Sequence, residues 1–278
     1  RIVTDTGCDL PARLEAELKG MGVRFVPFLF HFGLDALKDK TISMREFIAR
    51  ADLQWPTTAV PSSETFVQVF RECIEAGHRV LCITLTGRHS ACYATALLAS
   101  QEFPESQVTV FDSGLLSVAQ GVLVLAAARA AAAGASLERI LDLLRDLQRR
   151  VHLFMTLDTV KYLVRGGRAS RLAGGLAELL RIRPILTLVD GELTMIERAR
   201  GRKSAKRRLL ELVAAHLPAE TLGVAHILCE DEGREMVEEL ARHTGQPADS
   251  ILFAETGMVI ATHGGPGTLG VMAVRAAI

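Results

Sequence analysis

Four short segments concentrate the side chains and glycines that could bind an anion. They combine hydroxyl, imidazole or guanidinium groups with glycine or helix-start positions, and they cover residues 57–63, 86–91, 166–170 and 263–267. Hydroxyls and backbone N–H groups donate hydrogen bonds without a full charge, whereas histidine and arginine add charge-assisted donors. Together they predict a carboxylate or phosphate ligand, and the alternative for any one segment is an ordinary turn or cap.

His263 is the sharpest single candidate, because the glycines after it let a ligand approach the backbone beside the imidazole. The alternative is a structural histidine that bonds a carbonyl group. Asp5 and Asp9 follow the first predicted strand, where their carboxylates either cap loops or orient a histidine. We expect no protein-held metal, because the sequence has no HExxH motif, EF-hand loop or clustered carboxylates.

An alternating pattern of strands and helices positions these segments in the first half of the chain. Apolar runs predict strands at residues 1–5, 23–28, 79–85 and 108–112. Helical spacing predicts helices over 63–76 and 90–102, each beginning at a serine that can cap its first turn. This order predicts a parallel sheet, with the loop before Ser90 at the carboxyl ends of the strands, where ligands collect.

The second half predicts a separate α/β unit. A helical hairpin over 117–134 and 136–150 precedes a strand at 151–156, which places a domain boundary near residue 150. Asp190-Gly191 predicts a two-residue β-hairpin, because it supplies the positive φ that such a turn needs. Further helices are predicted over 157–164, 170–180, 203–217 and 231–244, and further strands over 185–189, 192–198, 222–229 and 250–254. We therefore predict an N-terminal domain (1–150) with a mainly parallel sheet and a C-terminal α/β domain (151–278) with a mixed or antiparallel sheet.

Composition excludes several classes of protein. The 32 basic residues balance the 32 acidic ones, and only 5% of residues are aromatic, which argues against a nucleic-acid-binding protein. Five cysteines without a CxxC pair favour a reducing cytoplasm. The most apolar stretch, 115–134, is mostly alanine and predicts a buried helix rather than a membrane span. Because the chain starts at Arg1, we expect that residues have been trimmed from its N-terminus.

Charge is distributed unevenly despite the zero total. Between positions 161 and 208 the chain has thirteen basic and four acidic residues, a local excess of nine. Such a segment could meet an acidic partner or nucleic acid, and the alternative is a solvated surface whose charges pair with acids elsewhere.

Several segments, taken in order, resemble the DegV family of fatty-acid-binding proteins, which includes the FakB subunits of bacterial fatty acid kinase. The resemblance spans essentially the whole chain. It rests on Thr4-Asp5-Thr6-Gly7-Cys8-Asp9-Leu10-Pro11, the 58–62 loop, Ser90 with Tyr93, Phe111-Asp112-Ser113, Tyr162-Leu163 leading into 166–170, Arg183-Pro184-Ile185-Leu186 before Asp190-Gly191, and the 263–267 segment.

The resemblance implies a ligand and a set of residues for it. Thr58 and Ser90 would hydrogen-bond the carboxylate of a long-chain fatty acid, His263 would support this network, and Arg168 would lie near the exposed head group. Ser62, Gly264 and Gly265 would also lie near the head group. The acyl chain would occupy an apolar tunnel between the two domains.

The resemblance also implies how such a protein acts. The chain would use no cofactor and catalyse nothing alone, and an ATP-dependent kinase subunit would phosphorylate the bound carboxylate to an acyl phosphate. Transient contact with a membrane and a cytoplasmic location would be compatible with this role. The chain departs from the family pattern where TSxPS becomes Thr58-Ala59-Val60-Pro61-Ser62, where Ala91-Cys92 replace the GT of SGTY, and where Thr86-Gly87 replace a serine doublet.

A serine hydrolase acting on acyl esters is the alternative from another class of protein. Ser90 would be its nucleophile, His263 its base, and Asp5 or Asp112 the residue that orients the histidine. The segment that begins His263-Gly264-Gly265 resembles a lipase oxyanion loop. However, residues 87–91 do not form a GxSxG elbow, and the HGG segment follows the serine instead of preceding it.

Overall fold

A parallel sheet forms the first layer of the protein. The computed structural model describes residues 1–169 and 183–277. Strands β1 (Ile2–Asp5), β2 (Arg24–Val26), β6 (Val80–Thr84) and β7 (Val108–Asp112) pair in the order β2-β1-β6-β7, all parallel. Every residue of β1 and β6 is buried, as is typical of a parallel sheet with helices on its faces. The parallel sheet predicted for the first half is confirmed.

Five helices accompany this sheet, and one of them joins the two halves of the chain. They are α1 (Ala12–Gly20), α3 (Ser63–Glu75), α4 (Cys92–Ser100), α5 (Ser117–Ala132) and α6 (Leu137–Arg150). Eleven residues of α5 are buried, because α5 contacts β1 as well as strands β8 (Val151–Thr156) and β11 (Ala219–His226). A helix buried on most sides has no polar face. The apolar 115–134 stretch is therefore a core helix, as predicted.

A six-stranded mixed sheet forms the layer on the other side of α5. Its remaining strands are β9 (Arg183–Val189), β10 (Glu192–Ala199), β12 (Leu252–Glu255) and β13 (Leu269–Arg275), and the order is β10-β9-β8-β13-β11-β12. All pairs are antiparallel except β11 with β12. Asp190 and Gly191 have φ values of 49° and 77°, which confirms the predicted two-residue hairpin between β9 and β10.

A small antiparallel sheet was not predicted. It contains β3 (Leu29–Phe32), β4 (Asp35–Lys38) and β5 (Thr57–Ala59), in the order β4-β3-β5, and helix α2 (Met44–Leu53) connects β4 to β5. Strands of three or four residues are too short to show a clear apolar alternation. The rings of Phe30 and Phe32 on β3 contact Phe47 of α2, which packs the small sheet against that helix.

Two helix starts in the first half differ from the prediction. The cap of α3 is Ser62 rather than Ser63, and its hydroxyl accepts from the N–H of Thr65 at 3.3 Å. Helix α4 begins only at Cys92, so Ser90 lies in the preceding loop instead of at the first turn. Side chains that can cap often stand side by side, and only the backbone geometry decides which one does.

Of the helices in the second half, some match the prediction and others differ from it. The helix predicted over 157–164 is reduced to α7 (Lys161–Arg165), and the one predicted over 170–180 lies outside the described residues. Helices α8 (Arg202–Ala214) and α9 (Glu230–Thr244) match their predictions within a few residues. Helix α10 (Met258–Gly264) was not predicted, and it places His263 in a last helical turn rather than in a glycine loop.

The division into two domains at residue 150 stays a prediction. Helix α6 ends at Arg150, and β8 begins at the next residue. One hydrophobic cluster includes residues of both large sheets together with α5. Within the part of the chain that the structure describes, no helix has both the length and the apolar character needed to cross a membrane.

Buried carboxylates connect the start of α10 to the first half of the chain. Asp9 accepts from the N–H of Gly257 at 2.9 Å, and Asp39 accepts from the N–H of Met258 at 3.0 Å. The Nζ of Lys40 lies 3.5 Å from Asp9, and the second oxygen of Asp39 is buried without a hydrogen-bond partner among the described residues. Desolvation and the nearby Asp9 charge raise the pKa of Asp39 to about 7. The interpretation of Asp9 as a capping residue fits these bonds.

Replacing Asp39 by asparagine should make stability less dependent on pH. A carboxyl whose pKa rises on folding stabilises the fold fully below its unfolded pKa, and this contribution disappears as pH rises through the folded pKa of about 7. Between pH 4 and pH 8, the free energy of unfolding of the wild type should therefore decrease by up to about 4 kcal/mol more than that of Asp39→Asn. Urea denaturation across this range measures it.

The control for this prediction is Asp35→Asn, which changes an exposed carboxylate in β4, the strand that ends just before Asp39. It should leave the pH dependence as in the wild-type protein. If the free energy of unfolding of the wild type and of Asp39→Asn changed equally with pH, the pH dependence would not come from Asp39.

Candidate functional site

A largely apolar cavity lies between the carboxyl edge of the parallel sheet and the mixed sheet. About 830 Å³ of space, which includes the part open to solvent, lies between its lining residues. Eleven of its nineteen described lining residues are apolar. Met155 of β8 and Leu186 of β9, which are direct cross-strand partners, belong to this wall. A cavity of this kind suits a hydrocarbon chain.

Polar side chains from four separate parts of the chain border the same cavity. The polar lining residues are Thr58, Thr86, His89, Ser90, Arg168, His263 and Thr268. Each of the four segments singled out in the sequence contributes at least one of these residues, and the 166–170 segment does so through Arg168. The structure therefore brings all four segments to one site.

Thr58 reaches the cavity because it belongs to β5. It pairs with Phe30 of β3, and it is half-buried while its neighbour Thr57 is exposed. Successive side chains of a strand point to opposite faces, so only one of the two threonines can line the cavity. Strand β5, which determines that Thr58 faces the cavity, was not predicted from the sequence.

Ser90 is oriented as a hydrogen-bond donor. Its Oγ accepts from the backbone N–H of Cys92 at 3.2 Å. A hydroxyl has one hydrogen and two acceptor positions, so this bond uses an acceptor position and leaves the hydrogen to donate. A carboxylate, which only accepts, is a complementary partner for it.

His263 is neutral and faces a glycine that leaves room for it. Burial, together with the positive charge of Arg168 and the nearby His89, lowers the pKa of His263 to about 3. Its Nδ1 is buried and has no partner among the described residues. A Cβ on Gly166 would lie 2.1 Å from this nitrogen, so any larger residue at 166 would displace the imidazole.

Arg168 brings the one permanent positive charge among the described lining residues. Its Nε donates to the carbonyl of His89 at 3.3 Å, and its Nη1 donates to the carbonyl of Gly166 at 2.7 Å. Burial lowers its pKa, yet a guanidinium remains charged at neutral pH. Arg168 thus adds a fixed positive charge beside His263.

Three residues of the polar lining, Thr86, His89 and Thr268, were missed as site residues. His89 Nε2 accepts from the N–H of Leu193 at 2.6 Å, and Thr86 Oγ1 donates to the carbonyl of Gly191 at 2.7 Å. Both bonds tie the loop after β6 to the β9–β10 hairpin. The sequence could have suggested Thr86 and His89 only through their position between the predicted strand and Ser90.

Gly264 lines the cavity, but two other candidates for the head-group region do not. Ser62 is exposed and caps α3, and Gly265 ends α10 with a φ of 75°. A Cβ on Gly265 would meet the ring of Tyr162 at 2.3 Å. Gly265 is thus required for the turn and for close packing, and its role near a head group stays a prediction.

The arrangement expected of a serine hydrolase is not found among the described residues. Asp5 accepts from the N–H groups of Leu85 and Gly7, and Asp112 accepts from those of Gly87 and Gly114. Both carboxylates therefore hold loops, and Nδ1 of His263 has no orienting acid in the part of the chain that the structure describes. The interpretation of Asp5 as a capping residue fits, and the hydrolase alternative lacks support.

At least five of the eleven described basic residues between 161 and 208 form ion pairs with acids, which supports in part the alternative of a compensated surface. These ion pairs are Arg183–Asp158, Arg202–Glu232, Lys206–Glu235, Arg207–Glu211 and Arg208–Glu197. Two members of the segment, Arg171 and Arg181, lie outside the described residues.

Comparison with known proteins identifies the family. The family model described as "Uncharacterised protein, DegV family" matches residues 1–276. A DegV domain-containing protein of Caldanaerobacter subterraneus is 32% identical over 275 residues, which cover 97% of this chain and 96% of that protein.

Solved structures show the same fold. A DegV family protein from Thermus thermophilus, described as binding fatty acid, is 33% identical, with a TM-score of 0.89 and 99% of each chain covered. A stearic-acid-binding protein from Eubacterium ventriosum is 27% identical, with a TM-score of 0.88 and coverage of 99% of this chain and 97% of that chain. The chain described here, with its two sheets around α5, belongs to the DegV family.

Proposed function

We propose that this protein binds a long-chain fatty acid, with the acyl chain in the apolar cavity and the carboxylate at Thr58, Ser90 and His263. The observation that carries the proposal is one cavity that has an apolar wall and is lined by the side chains of Thr58, Ser90, Arg168 and His263. The fatty acids bound by the relatives from T. thermophilus and E. ventriosum support the same class of ligand.

The acyl chain and the head group contribute differently to binding. At roughly 0.8 kcal/mol for each buried CH2, about sixteen carbons yield on the order of 12 kcal/mol before the costs of association. Each head-group hydrogen bond adds only about 1 to 3 kcal/mol. Affinity therefore comes from the hydrocarbon, and the polar residues determine which end of the ligand meets Arg168.

The role proposed for the bound acid is to serve as substrate for a separate kinase. Such a subunit would transfer phosphate from ATP to the carboxylate, and this chain would hold the resulting acyl phosphate. Arg168 suits this role because its positive charge stabilises an anionic head group before and after phosphorylation. On this proposal the chain supplies binding and orientation but no catalytic residue, and acts in the cytoplasm with transient membrane contact when the lipid is exchanged.

The first test is the identity of the bound ligand. Denaturation of the purified protein should release fatty acids of about 14 to 18 carbons, because burial of that many CH2 groups supplies the affinity of the site. Mass spectrometry of the extract identifies them. If no acyl chain is released, and delipidated protein does not bind palmitate at micromolar concentration, the proposed function is wrong.

Removing either hydroxyl should weaken binding of the acid without unfolding the protein. Ser90→Ala and Thr58→Val each delete one donor, so the dissociation constant for palmitate should rise about 5- to 100-fold. Titration calorimetry measures it. Thr57→Val is the matched control, because Thr57 is the exposed neighbour on the same strand. Equal affinities for Thr58→Val and Thr57→Val would remove Thr58 from the site.

A side chain at position 166 should disturb the site through His263. Gly166→Ala places a methyl group against the imidazole, so palmitate affinity should fall about tenfold or more. Gly20→Ala is the control, since a Cβ there meets nothing within 4 Å. Fluorescence competition compares the two variants, and unchanged affinity in Gly166→Ala would show that the position of His263 does not matter.

A further inference from the structure

One carboxylate oxygen holds both ends of the loop that carries Ser90. Asp5 Oδ2 accepts from the N–H of Leu85 at 2.7 Å and from the thiol of Cys92 at 3.6 Å. Leu85 directly follows β6, and Cys92 is the first residue of α4. Loop 85–92 therefore begins and ends at the same oxygen, which belongs to the last residue of the neighbouring strand β1.

The protonation states of the two side chains agree with this bond. Burial raises the pKa of the Cys92 thiol well above its ordinary value, so the thiol keeps its hydrogen. Burial also raises the pKa of Asp5, to about 6, and the carboxylate therefore accepts at pH 7.5. Its other oxygen accepts from the N–H of Gly7 at 2.8 Å, which fixes the plane of the carboxylate.

Cys92 passes this constraint to Ser90. The backbone N–H of Cys92 donates to Ser90 Oγ at 3.2 Å, and this bond turns the hydroxyl hydrogen away from α4. Asp112 supports the middle of the loop by accepting from the N–H of Gly87 at 3.1 Å. The direction in which Ser90 donates thus depends on groups that are not themselves among the lining residues of the cavity.

We propose that Asp5 and Cys92 are positioning residues for head-group recognition, because they hold loop 85–92 so that Ser90 donates to the carboxylate of the bound ligand. This inference rests on the proposed function. Neither residue touches the ligand, and both act through Ser90. Cys92 stands where the resemblance leads one to expect threonine, so the chain uses a thiol as the donor to Asp5.

A purely structural role makes a different prediction from a positioning role. If the thiol only satisfies a buried carboxylate, its loss lowers stability and leaves ligand preference unchanged. If it positions Ser90, its loss reduces the preference for a carboxylic acid over a neutral ester of the same chain length. The measured quantity is therefore the ratio of affinities for palmitate and methyl palmitate, because both ligands bury the same hydrocarbon.

The experiment uses full-length, delipidated protein and competition against a fluorescent fatty acid. Cys92→Ala removes the donor, Cys92→Ser replaces it with another donor, and Asp5→Asn removes the charge of the acceptor. Cys73→Ala is the matched control, because Cys73 is also a buried cysteine but lies in α3. Thermal denaturation of each variant separates loss of folding from loss of preference.

We expect the acid-to-ester ratio to fall about tenfold in Cys92→Ala and Asp5→Asn, which corresponds to about 1.4 kcal/mol. Cys92→Ser and Cys73→Ala should keep the wild-type ratio. A wild-type ratio in Cys92→Ala would overturn the inference, as would equal ratios in the alanine and serine variants at position 92. If Asp5→Asn does not fold, the position 92 pair still decides. Wild-type protein that binds neither ligand would instead refute the proposed function.

Discussion

Buried backbone N–H groups need acceptors, and this requirement organises the site. The loop after β6 leaves the sheet beside the other half of the chain, and its first two residues, Leu85 and Thr86, are buried. Carboxylates at the ends of the two flanking strands supply acceptors for this loop: Asp5 of β1 accepts from Leu85, and Asp112 of β7 accepts from Gly87. Because the acids hold the backbone, the hydroxyl of Ser90 keeps its hydrogen for a ligand.

The cavity separates two kinds of interaction. Its wall is mostly apolar and includes residues of both halves of the chain. Among its polar residues, Arg168 donates to the carbonyl of His89 and lies close enough to His263 to lower the pKa of the imidazole. A carboxylate placed beside Arg168 would oppose the effect of that positive charge on the imidazole. A neutral histidine and one arginine thus leave a modest positive potential that an anionic head group would balance.

Much of the fold was predictable because its long elements have clear patterns. The buried run of β6, the two helices α5 and α6, and the Asp190-Gly191 hairpin each follow from local apolar spacing or turn chemistry. Strand β13 was missed, although it lies at the centre of the mixed sheet, because a seven-residue apolar run fits a buried helix equally well. The segment forms a strand because it pairs with β8 on one side and β11 on the other.

The candidate site shows the same division between local and distant information. By itself, the sequence determined which residue types were available: hydroxyls, imidazole, guanidinium and glycine in four segments, with a net charge of zero. Only the tertiary structure decided that Thr58 rather than Thr57 faces the cavity, that Ser62 caps a helix, and that Gly166 makes room for His263. The physical reason is that strand pairing and side-chain contact join residues far apart in the chain, and local patterns do not contain that information.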